Sequence, residues 1–169
     1  MFKRFFCGLL LYSLTLSGGC LFPSYRQVRE FDLDVEPVAG SGRIHVAVMR
    51  NYSCSSTRIQ YRKGFELERD PYNLWVREPG NLVCSALNRA LGRDGSSPQI
   101  TMRGEIECFE ADVQHRIFRL SGYFHRVPDG RKIRFDIKAP LREDSAENIV
   151  PAASEAVRQL AVRMAAHGK

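Results

Sequence analysis

From Phe31 onward the chain alternates apolar and polar residues in short runs, the period-two signature of half-buried strands. Phe31, Leu33 and Val35 alternate with Asp32, Asp34 and Glu36, and the stretch Arg43 to Arg50 places Ile44, Val46 and Val48 on one side. A polar loop follows, Asn51 to Ser56. Ile59 and Tyr61 then alternate with Arg58, Gln60 and Arg62, and Phe65 and Leu67 with Glu66 and Glu68. Gly64 between these runs makes them either a tight hairpin or one bulged strand. Asp70-Pro71-Tyr72-Asn73 has turn chemistry. The period then changes. Leu82, Val83, Ala86, Leu87, Ala90 and Leu91 form a helical stripe, which predicts a helix over about Pro79 to Leu91. Pro79 suits its first turn and Gly92 its C-terminal cap. Three strands follow. Ile100, Met102, Ile106 and Cys108 share a face of the first, Phe118, Leu120 and Phe124 of the second, and Ile133, Phe135 and Ile137 of the third. Pro128-Asp129-Gly130 joins the last two as a hairpin turn. A closing helix, about Ile149 to Ala166, buries Ala153, Val157, Leu160, Ala161 and Met164.

Strands with one apolar and one polar face usually form antiparallel sheets packed on one side. The expected fold is therefore α+β: a two-layer sandwich of a mostly antiparallel sheet with two helices on one face. The opposite face would carry Arg103, Glu105, Glu107, Arg119, Tyr123, His125, Lys132, Arg134 and Asp136. A solvated face is the plain reading of that set, and a docking surface for a partner is the sharper one.

The first twenty residues follow a different logic. Lys3 and Arg4 precede a short apolar run, Leu9 to Leu16, closed by Ser17-Gly18-Gly19-Cys20. Charge, apolar core and small residues in that order make a secretory signal, too short for a stable spanning helix. A cysteine directly after the small residues resembles the bacterial lipoprotein lipobox, with Ser17 where leucine is usual. That resemblance implies a leader over residues 1–19, acylation of Cys20 and a lipidated tether over 20–29, and the length that remains, 30–169, suits a single domain. Leu21 stands where aspartate would retain such a protein at the inner membrane, so the expected location is the outer membrane, on its periplasmic face.

Composition narrows the function further. The chain holds 25 basic and 19 acidic residues, and loss of Lys3 and Arg4 with the leader leaves a formal charge of +4. Interspersed signs at that level lack the concentrated basic motif of a nucleic-acid binder. Beyond Cys20 the cysteines are Cys54, Cys84 and Cys108, which allow at most one intrachain disulfide. Cys84 and Cys108 are both expected to face the helix–sheet core and form the favoured pair, while Cys54 in its polar loop is the expected free thiol. No CxxC spacing supports a metal site. His45, His115, His125 and His167 lie far apart, and no GxSxG, SxxK or phosphate loop occurs. No catalytic residue and no cofactor is expected. Tyr61, Tyr72 and Trp75 are the one aromatic concentration, read either as a seal at the sheet edge or as a contact for a partner or acyl chain.

Taken in order, the strand Phe31-Asp32-Leu33-Asp34-Val35, the Val-rich strand Ile44 to Val48, Arg58-Ile59-Gln60-Tyr61-Arg62, Phe65-Glu66-Leu67, Leu74-Trp75 before the first helix, the strand Ile106 to Asp112 and an Ala-rich final helix resemble the PqiC-like auxiliary lipoproteins of ABC-type transporters. The resemblance covers about residues 30 to 166. It implies a non-catalytic accessory of a lipid transport system whose partners are a mammalian-cell-entry (MCE) domain protein and its ABC permease and ATPase. A second copy of the chain is left open as a partner. The alternative is a structural or assembly lipoprotein of another envelope complex.

Overall fold

Seven strands and two helices follow one another as β1 (Arg29–Phe31), β2 (Ile44–Asn51), β3 (Arg58–Lys63), β4 (Glu66–Trp75), α1 (Pro79–Leu91), β5 (Ile100–Asp112), β6 (Ile117–Val127), β7 (Lys132–Pro140) and α2 (Ala146–His167). The computed structural model describes residues 26–39, 43–53, 56–92 and 100–167. The leader, Cys20 and Cys54 lie outside the described residues.

All seven strands join one mixed sheet in the order β1-β4-β3-β5-β6-β7, and β2 also pairs with β5. The long ladders β5–β6 and β6–β7 and the β3–β4 hairpin are antiparallel. β2 and β3 lie one after the other along the same edge of β5, both parallel to it. This departs from a simple meander, because the crossover through α1 brings the chain back to β5 in the direction of β2. The α+β expectation holds. α1 packs over β2, and α2 over β6 and β7. Between the layers lie Ile106, Phe109, Phe118, Leu120, Phe124 and Ile137 from the sheet, facing Leu82, Leu87, Ile149 and Leu160. Each such side chain withdrawn from water contributes on the order of 1.5–3 kcal/mol. Phe109 is gripped on two sides, by Trp75 at 5.4 Å and edge-on by Phe118 at 4.9 Å.

Two bulges revise the alternation. Val46 pairs with Met102 but Val48 pairs with Arg103, so Ala47 is an extra residue in β2. Beyond it the faces exchange: Met49 is buried and Val48, expected inside with Ile44 and Val46, is exposed. In β5, Ile106 pairs with Gly122 and Cys108 with Ser121, so Glu107 is the extra residue. Phe109 takes the inward position, and Cys108 turns to the face opposite the helices. One inserted residue shifts a period-two pattern by half a cycle.

The Asp70 to Asn73 turn chemistry sits within β4. Gln60 pairs with Arg69 and Arg58 with Leu74, so residues 70–73 bow out of the ladder. Asp70 holds the bow, its Oδ1 accepting from the backbone N–H groups of Tyr72 (2.8 Å) and Asn73 (3.0 Å). Gly64, at φ +63°, makes the preceding connection a hairpin, with Gly64 and Phe65 as the two turn residues.

The alternating segment after Phe31 leaves the sheet and becomes a strap over the helices. Leu33 and Val35 are buried. The Leu33 carbonyl accepts from Arg89 Nη2 at 2.7 Å, Ser154 Oγ accepts from the Asp34 N–H at 3.1 Å, and the Ala90 carbonyl accepts from the Val38 N–H at 2.7 Å. The strap thus bonds to both helices. α1 also closes the free edge of β2. The Asn88 carboxamide accepts from the Val46 N–H at 3.0 Å and donates to the Val46 carbonyl at 2.8 Å, next to the Ala47 bulge. A helix side chain here takes the place of a strand neighbour.

Candidate binding face

Among the described residues no layer covers the face opposite the helices, and ladder register sets its side chains in rows. One row reads Val48, Arg103, His125, Lys132, and the next Arg50, Glu105, Tyr123, Arg134. Farther along, Glu110, Arg119 and Lys138 lie level. Charge on this face is arranged rather than scattered. Lys132 Nζ sits 3.6 Å from the Tyr123 ring centroid and the Arg134 guanidinium 5.9 Å from it, so one aromatic ring is shared by two cations. His125 Nε2 approaches Glu105 Oε1 at 3.9 Å. Arg62 forms a two-pronged pair with Glu110, one prong at 2.9 Å, which raises the guanidinium pKa above its ordinary value. At one end of the face, Val48, Arg50, Arg103, His125, Arg126 and Val127 line an open groove of about 650 Å³. Guanidinium groups beside short aliphatic chains suit a ligand or surface that is both acidic and partly apolar.

The aromatic trio does not converge on this face. Trp75 is a core residue against Phe109, only 2% exposed. Tyr61 is half-buried and donates its hydroxyl to Asp70 Oδ2 at 2.7 Å, and burial together with that carboxylate raises its pKa. Tyr72 is exposed, with the Arg26 guanidinium 5.5 Å over its ring. Tyr61 and Trp75 tie the β3–β4 bow to the core, Tyr72 stands outside it, and the three share no open surface.

The expected Cys84–Cys108 bridge is a correction, because both are free thiols. Cys84 lies on the helix side, its Sγ 3.4 Å from the Val46 carbonyl, while the Glu107 bulge turns Cys108 to the other side of the sheet beside Ser121 and Glu110. Burial, reinforced by Glu110, pushes the Cys108 thiol up to about 12, which keeps it protonated at neutral pH. His115 sits in the β5–β6 turn with its Nδ1 2.9 Å from Asp112 Oδ2. Among the described residues no three His, Cys, Asp or Glu side chains gather as a metal centre, and no described helix is long and apolar enough to cross a membrane.

No family model matches this chain, and no curated protein matches it. Solved structures do superpose on it. An uncharacterized protein aligns at a TM-score of 0.66 and 14% identity, over 85% of this chain and 99% of that one. Protein XCC0632 from Xanthomonas campestris, of family DUF330, aligns at 0.63 and 16% identity, over 82% and 92%. What is shared is the fold. A presumed lipoprotein from Caulobacter crescentus superposes more loosely, at a TM-score of 0.39 and 16% identity over 76% and 92%.

Arg50 and the groove were absent from the sequence reading of the polar face. The Ala47 bulge carries Val48 and Arg50 onto that face, and alternation alone cannot locate a bulge.

Proposed function

We propose that this chain is an envelope lipoprotein, held by acylated Cys20 on the periplasmic face of the outer membrane. It serves there as a non-catalytic accessory of an MCE-type ABC lipid transport system. The observation that carries the binding role is the uncovered sheet face, whose rows of arginine, lysine and tyrosine end in a groove. Such a face can hold an acidic partner surface by charge and aromatic contact without any reacting group. The Ser17-Gly18-Gly19-Cys20 sequence supports the lipoprotein side of the reading. The transporter side rests on the resemblance to PqiC-like proteins.

Crosslinking in cells followed by purification of this chain tests the assignment. Recovery of an MCE-domain protein, with loss of the crosslink in an Arg103→Glu/Arg134→Glu variant, is the expected result. Recovery of a different outer-membrane assembly and no MCE protein would replace this reading with an assembly role. Mass spectrometry of membrane-extracted protein should find a diacylglyceryl group on an N-terminal Cys20.

A further inference from the structure

The β3–β4 hairpin overhangs the sheet. β3 meets β5 only at Tyr61 and Arg62, and residues 66–69 of β4 pair with β3 alone. At its apex stands Phe65, fully exposed at 103%. The position is an unusual one for phenylalanine. Two-residue hairpin turns favour Gly, Asn and Asp, and Gly64 already supplies the positive φ. Phe65 therefore serves neither the turn geometry nor the core. Leu67, two residues on, is also exposed, beside an ion pair between Lys63 and Glu68 at 3.0 Å. A large apolar tip on a protruding, charged stalk fits a surface that is apolar just beneath a polar rim.

The direction of the tip identifies that surface. β1 runs parallel to β4, with Arg29 beside Asn73 and Phe31 beside Trp75. The N-terminal end of β1 therefore points the way the N-terminal end of β4 points, toward the hairpin tip. Traced backward from Arg29, the chain follows β4 to Arg26, whose guanidinium lies over Tyr72. The hairpin extends past Glu30, which pairs with Leu74, by the length of β3 from Arg58, also opposite Leu74, to Lys63, opposite Glu66. Five residues of strand span about 17 Å. Arg26 already lies four residues along that path from Glu30, and the six Cα steps from Arg26 to Cys20 reach at most about 20 Å. The described chain before β1 thus heads to the same side as the hairpin tip, and the length of chain between Arg26 and Cys20 is enough to bring the anchor level with that tip.

We propose that the β3–β4 hairpin tip is a second membrane contact, with Phe65 seated in the interfacial layer of the phospholipid bilayer that holds acylated Cys20. The inference rests on the anchoring part of the proposed function and is independent of any transport partner. It gives the domain two points of attachment on one side, so the molecule stands on the bilayer in a set orientation. Aromatic side chains favour the interfacial layer of a bilayer.

The test uses the lipidated mature chain reconstituted in phosphatidylethanolamine–phosphatidylglycerol vesicles. In a Phe65→Trp variant, Trp75 is the only other tryptophan, buried at 2% exposure, and wild-type emission supplies its background. The added fluorophore should emit to the blue of its value in detergent-free buffer, and lipids brominated near the headgroup should quench it several-fold more than Trp75. A Phe65→Asp variant, which loses no packing, should melt like wild type and move between vesicles about five- to tenfold faster. Solvent-like, unquenched emission at position 65, or unchanged transfer for Phe65→Asp, overturns the inference while leaving the anchor in place. A wild-type chain that does not float with vesicles fails differently, because it removes the anchoring reading itself.

Discussion

Replacing Asn88 by alanine tests whether a helix side chain stands in for a missing strand. Its carboxamide makes two bonds to one residue, accepting from the Val46 N–H at 3.0 Å and donating to the Val46 carbonyl at 2.8 Å. The Val46 side chain is fully buried, so water reaches this backbone poorly. Each buried polar group left without a partner costs about 1–3 kcal/mol. The carbonyl keeps the weak Cys84 thiol at 3.4 Å, so its loss falls at the low end of that range. Alanine recovers roughly 0.6 kcal/mol through its better helix propensity. The net expectation is a loss of about 2–3 kcal/mol, or a melting point lower by roughly 6–12 °C for a domain of this size. Asn88→Asp should lose at least as much, because a carboxylate cannot donate to the Val46 carbonyl and sets oxygen against oxygen. Denaturant unfolding measures the loss, and native-state hydrogen exchange locates it: the Val46 amide should lose protection ahead of the β5–β6 ladder. A change under about 0.5 kcal/mol with the Val46 amide still protected would refute the reasoning.

A Cβ on Gly122 would meet the Glu105 carbonyl oxygen at 1.9 Å, and backbone cannot yield there. Gly122→Ala should therefore cost about 3 kcal/mol or more in urea unfolding, whereas Gly104→Ala, which meets mainly the flexible end of Met49, should cost less. For Asp70 and Asp112, burial raises the pKa but the hydrogen bonds outweigh it, from Asn73, Tyr72 and Tyr61 on the first and from His115 on the second, so both stand below their ordinary value. A depressed carboxylate stabilises the fold above its unfolded pKa and loses that contribution as pH falls through the folded one. Stability should thus be level from neutral pH to about 5 and fall below, with a flatter acid limb in Asp112→Asn measured by thermal melts across pH. Burial raises the pKa of both Cys84 and Cys108. Neither should react with iodoacetamide in the native protein and both should in denaturant, and peptide mapping without reductant should recover no Cys84–Cys108 bridge.

The positions of the elements were legible where the pattern was local. Pro79, the apolar stripe and Gly92 marked α1 to its ends, and Gly92 caps it with φ +64° and its N–H on the Arg89 carbonyl. Alternation also picked the buried members of β6 and β7 and the polar residues of the open face. What escaped depends on neighbours far along the chain. Ala47 and Glu107 are ordinary residues, and nothing about them announces a bulge, so Val48 and Cys108 were assigned to the wrong side. Leu33 and Val35 were read as buried, which they are, yet against helices rather than in a sheet, because alternation reports burial and not pairing. Asp70 to Asn73 kept its turn geometry while the ladder resumed beyond it. Phe65 was read as one face of a strand, because its exposure follows from how far the hairpin passes the end of β5. Of the site, the charged residues were visible as types, and their assembly into rows and a groove required the register.

The strap from Asp32 to Val38 bears on how the domain takes mechanical load. A pull from the N-terminal side travels along β1 nearly parallel to its own axis, so the ladder with β4 resists sliding rather than opening bond by bond. Whatever load passes Phe31 is handed to Arg89, Ala90 and Ser154 on the two helices. Tension is therefore divided between both layers of the sandwich before any core strand is drawn out. An edge strand with nothing beyond it would peel from the sheet, whereas here β1, itself an edge strand, runs on into a band drawn across the outside, and the domain is held as a strapped parcel is held.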